Sequence, residues 1–351
     1  MDLGDIRKRI DRLDTELLKL LNRRMELALQ TVKLKKGVHD SGREKEVLEH
    51  VAEKSADLLE PVFAEALYKL IMEESKKIQN KGLKLIAFQG EHGAYGEMAA
   101  VTYDSSAIKI PCDDFREVFE GVQSGLFDFG LVPVENSTAG PVLDVNDLLL
   151  ETELHIYAEV SIPVHHCILV LPDTDYREIK MVYSHPMALA QCKGFISRNK
   201  IEPRTYYDTA GAARMLSEKR PKATSVIASK LCAEMYDLEV IKENVEDHPK
   251  NSTRFFVISK ERAESGDRCT IAFSTQHRAG GLFDVLRLFY EAGINLTRIE
   301  SRPLADDPGR FAFLLDFMGS ENEEKVKTTL EKVKNGCSMY RMVGCYREVE
   351  A

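Results

Sequence analysis

Arg7, Arg24, Lys35, Asp40, Arg43, Glu44, Ser75 and Gln79 give the first part of the chain a series of cations, acids and hydrogen-bond donors suited to holding an anion. Arg24 and Lys35 lie about three helical turns apart, so on one helix both project from nearly the same face. Two cations on one face fit a small dicarboxylate. Arg7 lies roughly 25 Å of helix axis before Arg24, beyond the span of such a ligand. If Arg7 acts, the economical arrangement is an intertwined dimer in which one protomer's helix reaches the other's pocket. Taken singly, each charge suits a solvated helix face just as well, so the combination carries the reading.

Three later segments bring amides, hydroxyls and an imidazole to the ends of apolar runs. They are Pro133 to Gly140 (containing Glu135, Asn136, Ser137 and Thr138), Ser184-His185-Pro186 with Gln191 and Cys192, and Asn251-Ser252-Thr253-Arg254-Phe255-Phe256. Strand C-terminal ends are where open α/β sheets bind ligands. His185 before Pro186 serves a turn as readily as it serves acid catalysis. His165 and His166 lie in a strand-like run whose alternation sends their rings to opposite faces, which excludes a shared metal and leaves core or surface roles. Gln89 to Gly96 is glycine-rich before a helix, but it lacks the Gly-Lys-Ser/Thr ending and the GxGxxG order of nucleotide loops. It is either a carboxylate cradle or a tight strand-to-helix turn.

The elements that must position these groups change period along the chain. Ile6, Ile10, Leu13, Leu17, Leu20, Leu21, Leu27 and Val32 repeat at helical spacing. That helix stops near Gly37, a second begins about Arg43, and a third follows Pro61. Asn80-Lys81-Gly82 reads as a linker, because Leu83 to Phe88 is a short buried-strand run. From there, strand candidates at 129–134, 164–171, 181–184, 225–228 and 254–259 alternate with helical stretches, the pattern of an α/β domain. A polar segment at 261–267 precedes strand, helix, two strands, helix and strand, with helices from about Gly281 and Asn322. The domains are expected at 1–80, 83–260 and 268–351.

Composition narrows the function. At 351 residues the chain exceeds one ordinary core, and 44% hydrophobic with 30% charged residues is a globular balance. No apolar run is long enough to span a bilayer, and the polar, periodic start lacks a secretory pattern, so a soluble cytoplasmic protein is expected. The net charge of -9 argues against nucleic acid, though local Arg and Lys clusters can still bind small anions. Seven cysteines without a CxxC pair suggest reduced, mostly buried thiols and no zinc site.

Between Asp5 and Gln79 the series Arg7, Arg24, Lys35, Asp40-x-x-Arg43-Glu44 and Ser75-x-x-x-Gln79 resembles the active-site series of the all-helical chorismate mutase family, with a shortened loop between Lys35 and Asp40. The resemblance implies a three-helix domain that rearranges chorismate to prephenate, a pericyclic step needing neither nucleophile nor metal. It implies that Arg7 of the partner protomer, Arg24 and Arg43 grip carboxylates, and that Lys35 and Gln79 donate to the ether oxygen. Asp40 and Glu44 would meet the ring hydroxyl, and Ser75 would be an auxiliary contact.

From Leu83 to Lys260, the Glu-Asn-Ser, Ser-His-Pro and Thr-Arg-Phe segments look like prephenate dehydratase. That family's fold is a pair of α/β lobes like those of periplasmic binding proteins, with crossovers expected on either side of about 191–207 and again near Ile227. The resemblance implies that Thr253 donates to the leaving hydroxyl and that Arg254 holds a carboxylate or organises the loop. Glu135, Asn136, Ser137, Thr138 and Phe255 would orient prephenate, with Ser184, His185 and Gln191 as the opposite wall.

From Arg268 to Tyr346, Ala279-Gly280-Gly281-Leu282 and Glu300-Ser301-Arg302-Pro303 resemble the ACT regulatory domain of the same enzymes, an α+β ferredoxin-like fold. Phe283 stands where that family has a smaller residue. The resemblance implies phenylalanine as inhibitor, bound by those eight residues; the plainer alternative is a dimerisation domain whose Arg302 pairs with an acid. A homodimer or higher homo-oligomer is expected, without organic cofactor, metal, nucleic acid or membrane.

Overall fold

Helix periodicity in the first part of the chain is realised as three helices, α1 (Leu3–Leu34), α2 (Ser41–Lys54) and α3 (Pro61–Gln79). The structure, a computed structural model, describes residues 2–34, 40–55, 58–276, 278–304 and 307–349, without the side chains of 307 and 308. Asp40 caps α2 by accepting from the Arg43 amide at 3.0 Å, so the helix starts slightly before Arg43. Pro61 opens α3, where its missing N–H costs no hydrogen bond. Leu29 is the buried residue of α1, whereas Ile10, Leu13, Leu17 and Leu20 are at least half exposed.

The chain divides into two compact units, Met1–Leu85 with Gly125–Phe127, and Ile86–Ser124 with Asp128–Ala351. The second unit opens with β1 (Leu85–Gln89), α4 (Tyr95–Tyr103), β2 (Ile108–Cys112), α5 (Phe115–Ser124), β3 (Phe129–Asn136), β4 (Gly140–Pro141), α6 (Leu143–Glu151) and β5 (His155–Pro163). Then follow β6 (Cys167–Val170), β7 (Met181–Ser184), α7 (Pro186–Gln191), α8 (Lys193–Arg198) and β8 (Glu202–Thr205). They lead into α9 (Thr209–Lys219), β9 (Thr224–Ala228), α10 (Lys230–Met235) and β10 (Glu239–Lys242). The chain returns through β11 (Ser252–Ser259). It ends in β12 (Arg268–Ser274), α11 (Gly281–Glu291), β13 (Leu296–Leu304), β14 (Asp307–Met318), α12 (Glu324–Gly336) and β15 (Met339–Val349).

Strands β6 to β10 form their own sheet in the order β10-β6-β9-β7-β8. The chain therefore crosses between lobes after β5 and before β11, at 164–166 and 243–251. The crossovers expected near 191–207 and 227 instead fall inside the second lobe. The reason is that β6, β9 and β7 already pair with one another through buried apolar faces.

The other sheet runs β13-β14-β12-β15-β5-β11-β3-β1-β2, with β4 beside β3. Strand β15 joins two regions: it pairs antiparallel with β12, and its last residues Arg347 to Val349 pair in parallel with Ala158 to Val160 of β5. The segment expected as a separate body from 268 onward thus continues the dehydratase-like sheet and keeps its own core around Phe273, Phe289 and Phe317.

Candidate active sites

Strand alternation decides which groups of the Thr-Arg-Phe segment meet the cleft between the lobes. Thr253 and Phe255 line a cavity of about 210 Å³, together with Gln89, Tyr95, Asn136, His166, His185, Gln191, Tyr207 and Asp208. Arg254, between them, points to the opposite face of β11, as pleating requires. There its guanidinium meets Glu135 at 3.1 Å, Glu159 at 2.8 Å and Asp316 at 2.8 Å. Arg254 and Glu135 thus pair with each other outside the cavity lining, an arrangement that suits the loop-organising alternative for Arg254 better than a ligand contact, and Glu135 is not among the lining residues.

Asn136, at the end of β3, is the hub. Its Oδ1 accepts from the backbone N–H of Thr138 at 3.0 Å and of Ala139 at 2.9 Å, which fixes the orientation of the amide. Its Nδ2 then faces Asn251 Oδ1 at 2.8 Å, the Ser252 carbonyl at 3.0 Å and Thr253 Oγ1 at 2.9 Å. An amide nitrogen only donates, so where it serves Thr253 the hydroxyl accepts and keeps its own proton for another partner.

Gln191 reaches across from α7 in the second lobe. Its Nε2 donates to Thr138 Oγ1 at 2.9 Å and to Asn136 Oδ1 at 3.2 Å. Its Oε1 lies 2.9 Å from His166 Nε2, while His166 Nδ1 lies 3.0 Å from the Tyr95 hydroxyl. Burial holds the His166 imidazole below its ordinary range and pushes the Tyr95 phenol far above its own. Burial likewise lowers His185 and raises Asp208. None of the described residues lining the cavity is Lys or Arg.

His185 and Gln191 face the cleft, as the opposite-wall expectation requires, whereas Ser184 is buried and donates to the Ile227 carbonyl at 2.6 Å. Ser137 ties β3 to β11 by accepting from the Ser252 amide at 2.9 Å. His165 and His166 do part to opposite sides. The first ring pairs with Glu246 at 2.9 Å, and the second enters the cleft. Sequence reasoning missed His166 and Tyr95 as cleft residues because His166 sits in the lobe crossing, whose place periodicity did not reveal. The glycine-rich turn is a strand-to-helix turn whose Gly93 amide is taken by Glu97 Oε2 at 2.7 Å.

In the helical unit, Arg24 donates to Ser75 Oγ at 3.0 Å and Gln79 donates to the Ala28 carbonyl at 2.6 Å, which brings the α1 and α3 members of the series together. Glu44 on α2 pairs with Lys76 on α3 at 2.7 Å, a partner the sequence reading did not name. Arg43 pairs with Glu46 at 3.0 Å. Arg7 lies near the far end of α1, and Lys35 falls outside the described residues.

At the C-terminal end, Gly280 caps α11 at φ +83°, a left-handed conformation suited to glycine. A Cβ on Gly281 would come within 2.9 Å of the Gln276 carbonyl. The Gly-Gly and Glu-Ser-Arg-Pro segments share one end of the sheet, since Ser274 and Arg302 flank Ala312 in register. Ala279 and Leu282 adjoin this turn, and Glu300, Ser301 and Pro303 lie along β13. Arg302 is held bidentate by Asp147 of α6 at 2.5 and 2.6 Å. Among the described residues, no cluster of His, Cys, Asp and Glu could hold a metal ion, and no helix is long and apolar enough to cross a membrane.

Family models match along the whole chain: chorismate mutase type II at residues 6–80, prephenate dehydratase at 86–263 and the ACT domain at 270–335. The bifunctional chorismate mutase/prephenate dehydratase of Aquifex aeolicus is 32% identical over 98% of this chain and 98% of its own. A prephenate dehydratase from Arthrobacter aurescens, in complex with L-Phe, superposes at TM-score 0.70 with 28% identity, covering 75% of this chain and 89% of that one. GqqA, described as a quorum quenching acylase, also superposes at 0.70, with 32% identity over 75% of this chain and 97% of its own.

Proposed function

The chain belongs to the family of bifunctional chorismate mutase/prephenate dehydratases, and we propose that its dehydration step is driven by a hydrogen bond from the Thr253 hydroxyl to the departing hydroxyl of prephenate. It is an enzyme of phenylalanine biosynthesis that converts chorismate to prephenate and prephenate to phenylpyruvate.

The observation that carries the proposal is the 2.9 Å donation from Asn136 Nδ2 to Thr253 Oγ1. It leaves the threonine proton for the substrate at the place where negative charge develops as the C–O bond breaks. The electron pair of the C–CO₂⁻ bond moves into the ring, carbon dioxide departs, and the leaving hydroxide, held by the Thr253 hydrogen bond, takes a proton from solvent to become water. A cation paired with that carboxylate would oppose its loss. The lack of Lys or Arg among the described lining residues favours a carboxylate that leaves from an environment giving it little stabilisation. Gln191, His185, Thr138 and Phe255 complete the cleft between lobes of the periplasmic-binding-protein type.

In the helical unit, Arg24, Arg43 and Arg7 of the partner protomer grip the two carboxylates of chorismate, while Lys35 and Gln79 donate to the ether oxygen. Asp40, Glu44 and Ser75 position the ring hydroxyl and a carboxylate. The exposed leucine row of α1 supports a homodimer, which covers that apolar surface and delivers Arg7. The order β15-β12-β14-β13 supports a ferredoxin-like regulatory fold. Phenylalanine binds at the Gly280-Gly281 turn and Glu300 to Pro303 as inhibitor, in keeping with the L-Phe complex of the Arthrobacter protein. Neither reaction calls for a cofactor, and the reading places the enzyme in the cytoplasm.

The deciding experiment feeds chorismate to the purified protein without cofactor or metal and follows prephenate and phenylpyruvate, with and without phenylalanine. Phenylpyruvate formation that falls to a small residue in Thr253→Ala and is suppressed by phenylalanine is the expected result. Near-normal dehydration by Thr253→Ala removes it from the mechanism, and flat activity across added phenylalanine removes the regulatory reading.

A further inference from the structure

We infer that His166 is a positioning residue for dehydration, setting the direction of a hydrogen-bond chain that crosses from lobe to lobe and ends at Thr253, with Tyr95 holding the His166 ring in place. This rests on Thr253 as donor.

The direction follows from fixed backbone donors. Because the Thr138 and Ala139 N–H groups require an acceptor, the atom of Asn136 that faces them is oxygen. The Gln191 atom 3.2 Å from that oxygen must therefore be its NH₂ group. Its carbonyl oxygen then faces His166 Nε2 at 2.9 Å, so Nε2 carries the imidazole proton. His166 is only 2% exposed, and burial favours its neutral form, so Nε2 holds the one ring proton, with the Tyr95 hydroxyl 3.0 Å from Nδ1. The hydroxyl's single proton goes to the His165 carbonyl at 2.6 Å, so Tyr95 anchors the ring at the lobe crossing and does not feed the chain. Every link from His166 through Gln191 and Asn136 thus donates toward Thr253.

Gln191 belongs to the second lobe and Asn136 to the first, whereas His166 lies in the segment that joins them. Remove the Nε2 proton and the Gln191 carbonyl loses its donor, which permits the amide to turn and present oxygen to Asn136. Asn136 Oδ1, kept in place by the Thr138 and Ala139 N–H groups, would then face a second oxygen instead of a donor, and the repulsion would shift the side chain whose Nδ2 serves Thr253. The effect belongs in kcat rather than in prephenate binding, since the hydrogen bond it organises strengthens as charge develops.

The test compares His166→Phe, His166→Gln and Tyr95→Phe in the full chain, with kcat and KM for prephenate measured beside thermal unfolding. Expected are a loss of roughly ten- to a hundredfold in kcat for His166→Phe with little change in KM, substantial rescue by His166→Gln, whose amide can donate from the Nε2 position, and a smaller loss for Tyr95→Phe. In a Thr253→Ala background the same His166 substitutions should leave the residual rate unchanged. Losses that multiply with Thr253→Ala, or full kcat in a folded His166→Phe, overturn the inference. Near-normal turnover by Thr253→Ala alone instead overturns the reading on which it rests. Should His166→Phe fail to fold, Tyr95→Phe, which deletes one hydroxyl, carries the same additivity test, with the same outcomes deciding it.

Discussion

Arg254, one residue beyond Thr253, places its guanidinium 2.8 Å from Asp316 on β14, so the strand that carries Thr253 is tied by a buried ion pair to the C-terminal region. Asp316 also meets Arg298 at 3.3 Å and accepts from Thr270 at 2.8 Å, and Glu159 bridges Arg254 to Arg268. Arg302 adds a separate tie to Asp147 of α6. These ties and the β15–β5 pairing link the two regions through both side chains and backbone.

Removing one partner of such a cluster leaves the others charged and buried. Asp316→Ala should therefore destabilise the unit by about 3–5 kcal/mol, because Arg254 and Arg298 lose their shared anion. Dehydratase turnover should fall with it, while mutase turnover in the separate helical unit is retained. A double-mutant cycle of Arg254→Met with Asp316→Leu checks the pairing. The double variant should be much less destabilised than the sum of the singles, and simple additivity would show that the pair does not couple.

Much of this architecture was legible beforehand because apolar period is a local property. The helices of the first unit, β7 and the start of α11 fall where periodicity and caps put them. What was not legible depends on long-range pairing. The continuation of the C-terminal sheet into β5 rests on three residues of β15, Arg347 to Val349, that look like any strand end. Whether Arg254 holds a carboxylate or organises the loop stays open in the sequence until the pleat of β11 turns it to Glu159 and Asp316. His166 reads as core or surface until the lobe crossing is located. Asn136 and Thr253 were legible as cleft residues because they adjoin the ends of expected strands, and Gln191 through the resemblance of its segment; all three line the cavity.

Asn136→Asp tests the hub with almost no change in shape. The new carboxylate offers Thr253 Oγ1 an acceptor where the amide offered a donor, so the threonine proton turns to that carboxylate and away from substrate. Loss of the aimed donor should cost roughly a hundredfold in kcat. Steady-state kinetics with prephenate checks this, and a change confined to KM would place Asn136 in binding alone.

The proposal that Arg7 of one protomer completes the mutase site of the other predicts complementation between dead variants. Arg7→Ala and Arg24→Ala should each lack mutase activity as homodimers. In a mixed dimer one site combines the intact Arg24 of one protomer with the intact Arg7 of the other, and the second site lacks both. Unfolding and refolding an equal mixture should restore about a quarter of the wild-type sites. No recovery in a mixture that demonstrably exchanges protomers would confine each site to a single chain.

Acid should weaken the fold through its buried neutral histidines. Burial depresses His166 below the value near 6.5 that it has in the unfolded chain. As pH falls through that value the unfolded chain takes up a proton the folded chain refuses, so the stabilisation is present above about pH 6.5 and is lost on acidification. The loss amounts to at most about 1.4 kcal/mol per pH unit for one histidine, until the folded value is reached. His185 and His155, also lowered by burial, act in the same direction. The groups that face His166 are the Tyr95 hydroxyl, the Gln191 amide and Glu246, which accepts from its backbone N–H at 2.9 Å, with His165 adjacent. His166→Gln removes one titrating group but keeps a donor to Gln191. Denaturant unfolding between about pH 7.5 and 5.5 should therefore show a shallower decline for His166→Gln than for the wild type. Identical slopes would mean that His166 keeps its unfolded proton affinity in the fold, contrary to its burial between Tyr95 and Gln191.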